Sequence, residues 1–292
     1  MTKNNDATNV HNQDQSAQTP TKKVNGKNLL IKYIVLLVVI AVVTPFLVYG
    51  NNHIVITEYS YTNSKMPSEM DGYCIVQISD LHNAKFGKDN SKLVEMIKSC
   101  NPNIIVLTGD FVDGGTHTNI QISLDFANQI TQICPVYYVT GNHEYYLTEE
   151  KRTKLLDGLK AAGVIVLDDE AVELFSGANL VGIDDESLYH DFSSLIDTDD
   201  FNIVLAHEPQ RIKNYSQYNA DLVFSGHAHG GQFILPLFGP VYAPDQGLRP
   251  QYTSGIITYE DTDMIVSRGI GNSAFPFRIN NYPEIVCVKF YN

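Results

Sequence analysis

Five short clusters of carboxylate, imidazole and amide side chains recur along the chain, and each cluster follows an apolar run. In chain order they are Asp80-Leu81-His82, Gly109-Asp110-Phe111-Val112-Asp113, Gly141-Asn142-His143-Glu144, Ala206-His207-Glu208 and Gly226-His227-Ala228-His229. Side chains of these types are ligands for Mn²⁺, Fe or Zn²⁺, and none of the clusters offers a thiolate. One such cluster occurs by chance, but five in order predict a metal site.

The apolar runs before these clusters have the pattern of short strands separated by amphipathic helices. The predicted strands are residues 73–79, 103–108, 136–140, 164–167, 179–183, 202–206, 222–225, 255–259, 264–267 and 284–290, and the predicted helices are 91–99, 120–131 and 148–162. This alternation predicts an α/β fold with largely buried sheets. In open α/β sheets, sites form at the carboxyl ends of strands, so we expect the five clusters to converge.

The ordered pattern DxH, GDxxD, GNH[DE], a single His and GHxH resembles that of the calcineurin-like metallophosphoesterase superfamily. The resemblance extends from Tyr73 to the last predicted strand. The text GHAHGGQ, together with an apolar segment near the N-terminus, is similar to a bacterial branch of membrane-anchored phosphodiesterases. The resemblance implies a four-layer αββα sandwich with two mixed β-sheets, and a hydrolase that acts on phosphoric esters.

The resemblance also implies two divalent metal ions, either Mn, Fe or Zn. Asp80, His82, Asp110 and His229 would hold one ion, and Asp110, Asn142, His207 and His227 would hold the other, with Asp110 bridging both. Two dications lower the pKa of a bridging water and so supply hydroxide near neutral pH. Attack of that hydroxide on phosphorus, in line with the leaving oxygen, is the implied reaction.

His143 follows the implied ligand Asn142, and the resemblance makes it the general acid that protonates the departing alkoxide. Asp113 stands where the family places the carboxylate that orients this histidine. The alternative for Asp113 is a turn-forming aspartate. Glu144 completes the GNH[DE] pattern, and we expect a structural role for it.

Gly114 departs from the serine/threonine phosphatase branch, which has a phosphate-gripping arginine at this position. A dianionic phosphomonoester would lose a bidentate partner here. The sequence therefore favours a phosphodiester or pyrophosphate-type bond as the substrate. The alternatives are a phosphomonoesterase acting on a small or lipid phosphate, and a catalytically silent envelope-binding module. The complete set of ligands disfavours the silent module.

Residues 232–252 follow the HxH pattern directly and are rich in Pro, Gly and aromatic residues. Long structured loops beside a site often form lids or specificity walls, although this one is equally compatible with an ordinary connector. Its apolar side chains would face a lipid or nucleobase moiety, and Arg249 or Arg268 would meet a second phosphate. A cell-envelope lipid is a candidate substrate by resemblance.

The composition limits the classes of partner. The chain has 20 Lys and Arg against 33 Asp and Glu, a formal net charge of −13. Binding to a nucleic-acid backbone needs a basic face, so we expect no such partner. The four cysteines show no CxxC spacing, and we expect buried free thiols, with one disulfide as the alternative.

An uncharged apolar segment near the N-terminus predicts a membrane anchor. The uncharged run is residues 33–49. With residues 29–31 added and Lys32 reaching the headgroups, residues 29–50 are long enough to cross a bilayer. Lysines cluster before this segment, which by the positive-inside rule predicts a single-pass protein of the cell membrane with a cytoplasmic N-terminus and an extracytoplasmic catalytic domain. A cleaved signal peptide is the alternative. The predicted organisation is a disordered basic polar tail (1–28), a transmembrane signal anchor (29–50), a connector (51–71) and a metallophosphoesterase domain (72–292).

Overall fold

The computed structural model describes residues 26–273 and 275–292. They form two compact units, one ending at Thr44 and the other running from Pro45 to Asn292. The helices are α1 (Gly26–Asn52), α2 (Ser91–Ser99), α3 (Gln121–Ile130), α4 (Asn142–Tyr145), α5 (Glu149–Ala161) and α6 (Ile212–Gln217). The strands are β1 (Val55–Tyr61), β2 (Cys74–Ile78), β3 (Ile104–Thr108), β4 (Val136–Val139), β5 (Ile165–Val166), β6 (Glu170–Phe175), β7 (Ala178–Gly182), β8 (Phe201–Leu205), β9 (Leu222–Ser225), β10 (Ile234–Leu235), β11 (Gly239–Pro240), β12 (Tyr242–Ala243), β13 (Gly247–Leu248), β14 (Gly255–Tyr259), β15 (Thr262–Val266) and β16 (Glu284–Phe290).

Helix α1 contains the apolar segment near the N-terminus. Among the described residues, Leu29–Asn52 is the one stretch of helix that is long and apolar enough to cross a membrane, with a mean hydropathy of 2.6. Its apolar side chains are exposed on every face, unlike those of a core helix. Residues 1–25 of the predicted polar tail lie outside the described residues.

Two six-stranded mixed sheets form the centre of the second unit. The first sheet has the order β1-β16-β2-β3-β4-β5, in which the β16–β2 pair is antiparallel and the other pairs are parallel. The second sheet has the order β14-β15-β9-β8-β7-β6, with antiparallel pairs at both edges. Every residue of β2, β3, β8 and β9 is buried, which explains why these strands are continuous apolar runs in the sequence.

Three apolar cores separate four layers. Leu93 of α2, Phe126 of α3 and Leu159 of α5 pack with Val76 on the outer face of the first sheet. Ile75, the neighbour of Val76 on β2, points the other way into the core between the two sheets. A third core lies between the second sheet and α6. The predicted four-layer αββα sandwich with two mixed sheets is therefore confirmed.

The segment 51–71 differs from the predicted connector, because it contains strand β1. This strand pairs in parallel with β16, from Val55 opposite Glu284 to Tyr61 opposite Phe290. Its sequence VITEYSY contains β-branched and aromatic residues, which favour strands. It also contains Glu58 and Ser60, which are tolerated because the strand is at the half-exposed edge of the sheet. That composition is why the sequence analysis missed it.

The four cysteines are free thiols, and Cys74, Cys100 and Cys287 are buried. The Sγ atoms of Cys74 and Cys287 lie 3.4 Å apart on the neighbouring strands β2 and β16. The structure thus agrees with free thiols rather than with the alternative of a disulfide.

Candidate metal centre

The carboxyl ends of strands from both sheets carry the five polar clusters. Strands β2, β3 and β4 are neighbours in the first sheet, and β8 and β9 are neighbours in the second. The loop that follows each of these strands contains one cluster. Six of the seven predicted ligands are thereby assembled in two overlapping groups of carboxylates and imidazoles.

The first group consists of Asp80, His82, Asp110 and His229, whose candidate ligand atoms all lie within 4.8 Å of one another. The Nε2 atoms of His82 and His229 are 3.3 Å apart. His229 Nε2 lies 3.5 Å from Asp80 Oδ1. All four residues are buried. Buried carboxylates and imidazoles that face one another form a donor set suited to a divalent cation.

The second group consists of Asp110, His207 and His227. Asp110 Oδ2 lies 3.2 Å from His207 Nε2 and 3.5 Å from His82 Nε2, so one carboxylate oxygen lies between the two groups. His227 Nδ1 is 3.1 Å from His207 Nε2. The carbonyl oxygen of Thr108 is 2.8 Å from His207 Nδ1 and can accept its hydrogen, which leaves Nε2 for a ligand role.

Buried atoms without partners surround these groups. Within the described parts of the chain, His82 Nδ1, His229 Nδ1 and Asn142 Oδ1 have no hydrogen-bond partner. Asn142 Nδ2 donates to the hydroxyl of Tyr146 at 3.0 Å, so the amide oxygen of Asn142 is the atom that is available to bind a cation. Buried polar atoms are nearly always satisfied in native proteins. The orphaned amide oxygen and the adjoining carboxylates and imidazoles therefore fit divalent cations.

The imidazoles of the site respond differently to their surroundings. Burial alone would lower the pKa of His207, but the charge of Asp110 holds it well above its usual value, so a cation at His207 must displace a proton. Burial lowers the pKa of both His82 and His229 to about 3, so these imidazoles are neutral at pH 7 and keep a lone pair. Burial alone would raise the pKa of Asp110, but the adjacent His207 holds it well below its usual value. A neutral imidazole and an ionised carboxylate are the forms that a metal ion requires.

Most of the predicted ligands have left-handed backbone conformations. The φ angles are +53° at Asp80, +45° at His82, +51° at Asp110, +63° at His227 and +47° at His229. This region is uncommon for residues with a Cβ and costs free energy at each position. Such strain concentrated in loops that meet at one cluster is typical of a functional site.

Glu144 ties together the loops that follow β3 and β4. Its carboxylate accepts hydrogen bonds from the backbone N–H groups of Asp110 (3.0 Å), Phe111 (2.8 Å) and Gly141 (2.7 Å). Burial, and then the charge of Asp110, raises the pKa of Glu144 to about 7. These contacts support the structural role expected from the sequence.

His143 lies beside the two groups. Its Nε2 is 4.0 Å from Asp110 Oδ2 and 3.2 Å from Ser273 Oγ. Its Nδ1 is 2.9 Å from the backbone carbonyl oxygen of Asp113, whereas the Asp113 carboxylate lies 3.6 Å from His82 Nδ1. The expected carboxylate contact with His143 is thus replaced by a carbonyl contact. Gly114, directly after Asp113, has a left-handed backbone (φ +69°).

Two aspartates near the centre were missed by the sequence analysis. Asp245, between β12 and β13, places Oδ2 at 2.8 Å from His227 Nε2. Asp185 is buried just after β7, and burial raises its pKa to about 7. For Asp245 the sequence signal is an acidic residue in the stretch after the HxH pattern. For Asp185 it is the pair Asp184-Asp185, which directly follows the predicted strand 179–183.

The two arginines predicted to meet substrate lie outside the two groups around Asp110. Arg268 Nη2 donates to Glu284 Oε1 at 2.7 Å, so its guanidinium is already paired with a carboxylate. Arg249 is exposed directly after β13. A third arginine, Arg278, is buried and donates to the carbonyl oxygen of Gly271.

Residues 74–231 match the family described as calcineurin-like phosphoesterase. The chain is 30% identical over 241 residues to the uncharacterized metallophosphoesterase YkuE of Bacillus subtilis, covering 78% of this chain and 82% of that protein. It is 28% identical over 223 residues to phosphodiesterase YaeI of Escherichia coli, covering 74% and 81%. It is 27% identical over 242 residues to a transmembrane protein with metallophosphoesterase domain of Danio rerio, covering 76% of this chain and 54% of that protein. As the resemblance implied, the chain belongs to the calcineurin-like phosphoesterase family and is a hydrolase of phosphoester bonds.

Proposed function

We propose that this protein is a dinuclear metal-dependent phosphodiesterase that hydrolyses a phosphodiester or pyrophosphate-type bond at a membrane surface. The observation that carries the proposal is the pair of buried Asp and His groups that share Asp110. The name of the Escherichia coli relative, a phosphodiesterase, supports the class of bond. The membrane-length helix α1 supports the location.

The proposed ligands follow from the two groups and the orphaned amide oxygen. Asp80, His82, Asp110 and His229 would hold one cation, and Asp110, Asn142, His207 and His227 would hold the other. This set of carboxylate, imidazole and amide donors suits Mn, Fe or Zn. When bound, such a pair supplies Lewis acidity toward the phosphoryl oxygens and makes hydroxide available near neutral pH.

His143 is the proposed proton donor to the leaving group. The Asp113 carbonyl oxygen accepts the hydrogen on Nδ1, so the imidazolium form of His143 would transfer the proton on Nε2 and become the neutral form with its hydrogen on Nδ1. Nε2 also faces Asp110 and Ser273, which places this proton on the side of the buried groups. A leaving alkoxide within hydrogen-bond reach of Nε2 would take it.

The backbone at Gly114 supports a preference for diesters. Its φ is +69°, and a Cβ added there would lie 3.0 Å from both the His143 carbonyl oxygen and Tyr146 Cβ. A side chain at this position would therefore crowd His143, the proposed acid, by a few tenths of an ångström as well as strain the chain. Without that cation, a dianionic monoester gains less from the site than a monoanionic diester does.

The proposed substrate class is a diester or pyrophosphate of a cell-envelope lipid. An anchored domain meets such a substrate at the bilayer surface. The lysines before and within the first turns of α1 (Lys22, Lys23, Lys27 and Lys32) support an extracytoplasmic position for the catalytic domain in the cell membrane. Arg249, exposed directly after Leu248 of β13, is retained as a proposed contact for a second phosphate, whereas the ion pair of Arg268 disfavours that role for Arg268.

The test compares a bis-aryl phosphate diester with the matching aryl monoester, using the full chain in detergent loaded with Mn²⁺. We expect a higher kcat/KM for the diester, and loss of that activity in Asp110→Ala. A higher kcat/KM for the monoester would make the enzyme a phosphomonoesterase. No turnover of either substrate by a chain that binds Mn²⁺ would instead support a silent binding module.

A further inference from the structure

The β10–β11 hairpin ends in an exposed apolar tip, residues 235–238. Leu237 is 104% exposed and Phe238 is 75% exposed. On the next hairpin, Leu248 is 77% exposed, and the exposed cation Arg249 follows it. The exposed apolar residues of the tip are consecutive in the chain, and such an exposed patch on a folded domain marks a surface that meets a partner or a membrane.

The turn at this tip does not favour the residue that occupies its third position. The N–H of Phe238 donates to the carbonyl oxygen of Leu235 at 3.2 Å, which closes a four-residue turn. Pro236 occupies the second position, and Leu237, with φ +70°, occupies the third. The third position of such a turn favours glycine, because a positive φ is costly for a residue with a Cβ. A leucine here strains the turn and is fully exposed, so a contact outside the domain accounts for it.

The tip is tied to the end of the membrane-length helix by the segment 275–281. Gln232 Nε2, at the base of the β10–β11 hairpin, donates to the carbonyl oxygen of Phe277 at 2.9 Å. Asn51 Nδ2, in the last turn of α1, donates to the carbonyl oxygen of Pro276 at 2.7 Å. These residues all belong to the second compact unit, so the hairpin and the end of α1 share one short stretch of chain as a support.

The end of α1 has the composition of a membrane interface. The ring of Tyr49 stacks on His53 at 4.7 Å and meets Tyr282 edge-on at 5.9 Å. Lys92 Nζ donates to the carbonyl oxygen of Asn52 at 2.9 Å. Tyrosine rings and lysine side chains are enriched where a protein meets lipid headgroups. The headgroup level is therefore expected close to Asn52, next to the segment that supports the hairpin.

We propose that the tip 235–238 and Leu248 insert into the lipid interface of the bilayer that α1 crosses. Insertion of these residues would hold the metal centre close to the bilayer. The connection is Asp245, which lies in the β12–β13 hairpin with Leu248 and contacts His227 of the centre. This inference rests on the proposed membrane anchoring and deepens it. It assigns the surface through which the domain docks, and it identifies the substrate class as one presented in the plane of the membrane.

The chain contains no tryptophan, so a single introduced tryptophan reports insertion directly. The full chain carrying Leu237→Trp is reconstituted into vesicles of phosphatidylcholine and phosphatidylglycerol. We expect blue-shifted emission, loss of intensity when brominated phosphatidylcholine is included, and protection from aqueous iodide. Phe238→Trp should give the same result.

Tyr291→Trp is the matched control. Tyr291 is 41% exposed, and its N–H donates to the carbonyl oxygen of Tyr61, at the end of β1 that is remote from α1. The rise along β1 places this position about 20 Å from Val55. We expect iodide to quench this tryptophan and brominated lipid to leave it unchanged.

Leu37→Trp, within α1, separates failure of docking from failure of anchoring. If brominated lipid quenches Leu37→Trp while only iodide quenches Leu237→Trp, the docking surface is overturned and the anchor stands. If Leu37→Trp also escapes brominated lipid, the anchor fails and the docking proposal fails with it. Blue-shifted emission of Leu237→Trp without quenching by brominated lipid would point to a protein partner and would likewise overturn the proposal.

Discussion

At the scale of single residues, proton transfer and cation binding are assigned to different side chains. Asp110 Oδ2 lies between the imidazoles of both groups, so its loss would affect both cation sites. The backbone N–H of His143 donates to Asp110 Oδ1 at 2.8 Å, while its side chain lies beside the groups, with Nε2 at 4.0 Å from Asp110 Oδ2 and the ring edge-on to His82 at 4.5 Å. Substitution of His143 can therefore test proton transfer while the cation ligands stay in place.

For His143→Ala we expect kcat to fall by about 10²–10⁴-fold on an alkyl diester, because the alkoxide needs a proton to leave. The loss should be much smaller on a p-nitrophenyl diester, whose leaving group is stable as an anion. The measurement is kcat for both diesters in the variant and the unsubstituted chain. Ser273→Ala, which removes only a contact to Nε2, is the control and should change either rate little. Equal losses on both diesters would contradict proton donation.

Alanine substitutions at Gly114 and Gly115 form a matched pair that tests whether crowding of His143 by the loop after β3 affects catalysis. Both have positive φ, +69° and +76°, so alanine at either position costs about 1–2 kcal/mol of stability. A Cβ at Gly114 would meet the His143 carbonyl oxygen at 3.0 Å, whereas one at Gly115 meets no described atom within 4 Å. We expect Gly114→Ala to lower kcat as well as the melting temperature, and Gly115→Ala to lower the melting temperature alone. Similar kcat values in the two variants would show that His143 tolerates the crowding.

At the scale of elements, the sequence predicts the strands better than the loops between them. A strand such as β3 is buried on both faces, so its apolar run and the aspartate that follows it are both visible in the sequence. The half-exposed β1 has no such run and was missed. The sequence shows an acidic residue at position 245 but not its approach to His227, nor the left-handed backbone of Asp80, because both depend on contacts between distant parts of the chain.

Glu144 is the element-scale test, because it holds the loops after β3 and β4 together. Glu144→Ala leaves the buried N–H groups of Asp110, Phe111 and Gly141 without their acceptor. Each unsatisfied group costs about 1–3 kcal/mol, so we expect the free energy of unfolding to fall by about 3 kcal/mol or more. Urea denaturation of the full chain in detergent measures it.

Glu95→Ala is the control for that substitution, since Glu95 is exposed in the middle of α2. Its effect should stay within about 0.5 kcal/mol. If Glu144→Ala were as mild as Glu95→Ala, the two loops would not depend on the buried carboxylate.

At the scale of the whole molecule, cation binding and folding are linked. The two groups bring buried carboxylates and strained loops from both sheets together, and a cation that binds only the folded chain stabilises it by mass action. We expect EDTA to lower the melting temperature and Mn²⁺ to restore it. At a free concentration of about 100 times Kd, each site contributes about 2.7 kcal/mol.

Asp110→Ala provides the comparison, because it removes the carboxylate shared by both groups. Its melting temperature should respond far less to EDTA and to Mn²⁺. A melting temperature of the unsubstituted chain that is independent of both additions would contradict cation binding in the folded state.

The parallel pairing of β1 with β16 has a mechanical consequence for a tethered enzyme. Strand β1 begins at Val55, shortly after α1 ends, and all its residues pair with the central part of the first sheet through β16. In a chain anchored as proposed, a pull on Val55 along the strand would load the evenly spaced bonds of the parallel ladder together in shear. An antiparallel hairpin pulled open at its ends would instead release its bonds one at a time. Under the proposed anchoring, the pairing of β1 with β16 would therefore resist tension better than a hairpin at the same place.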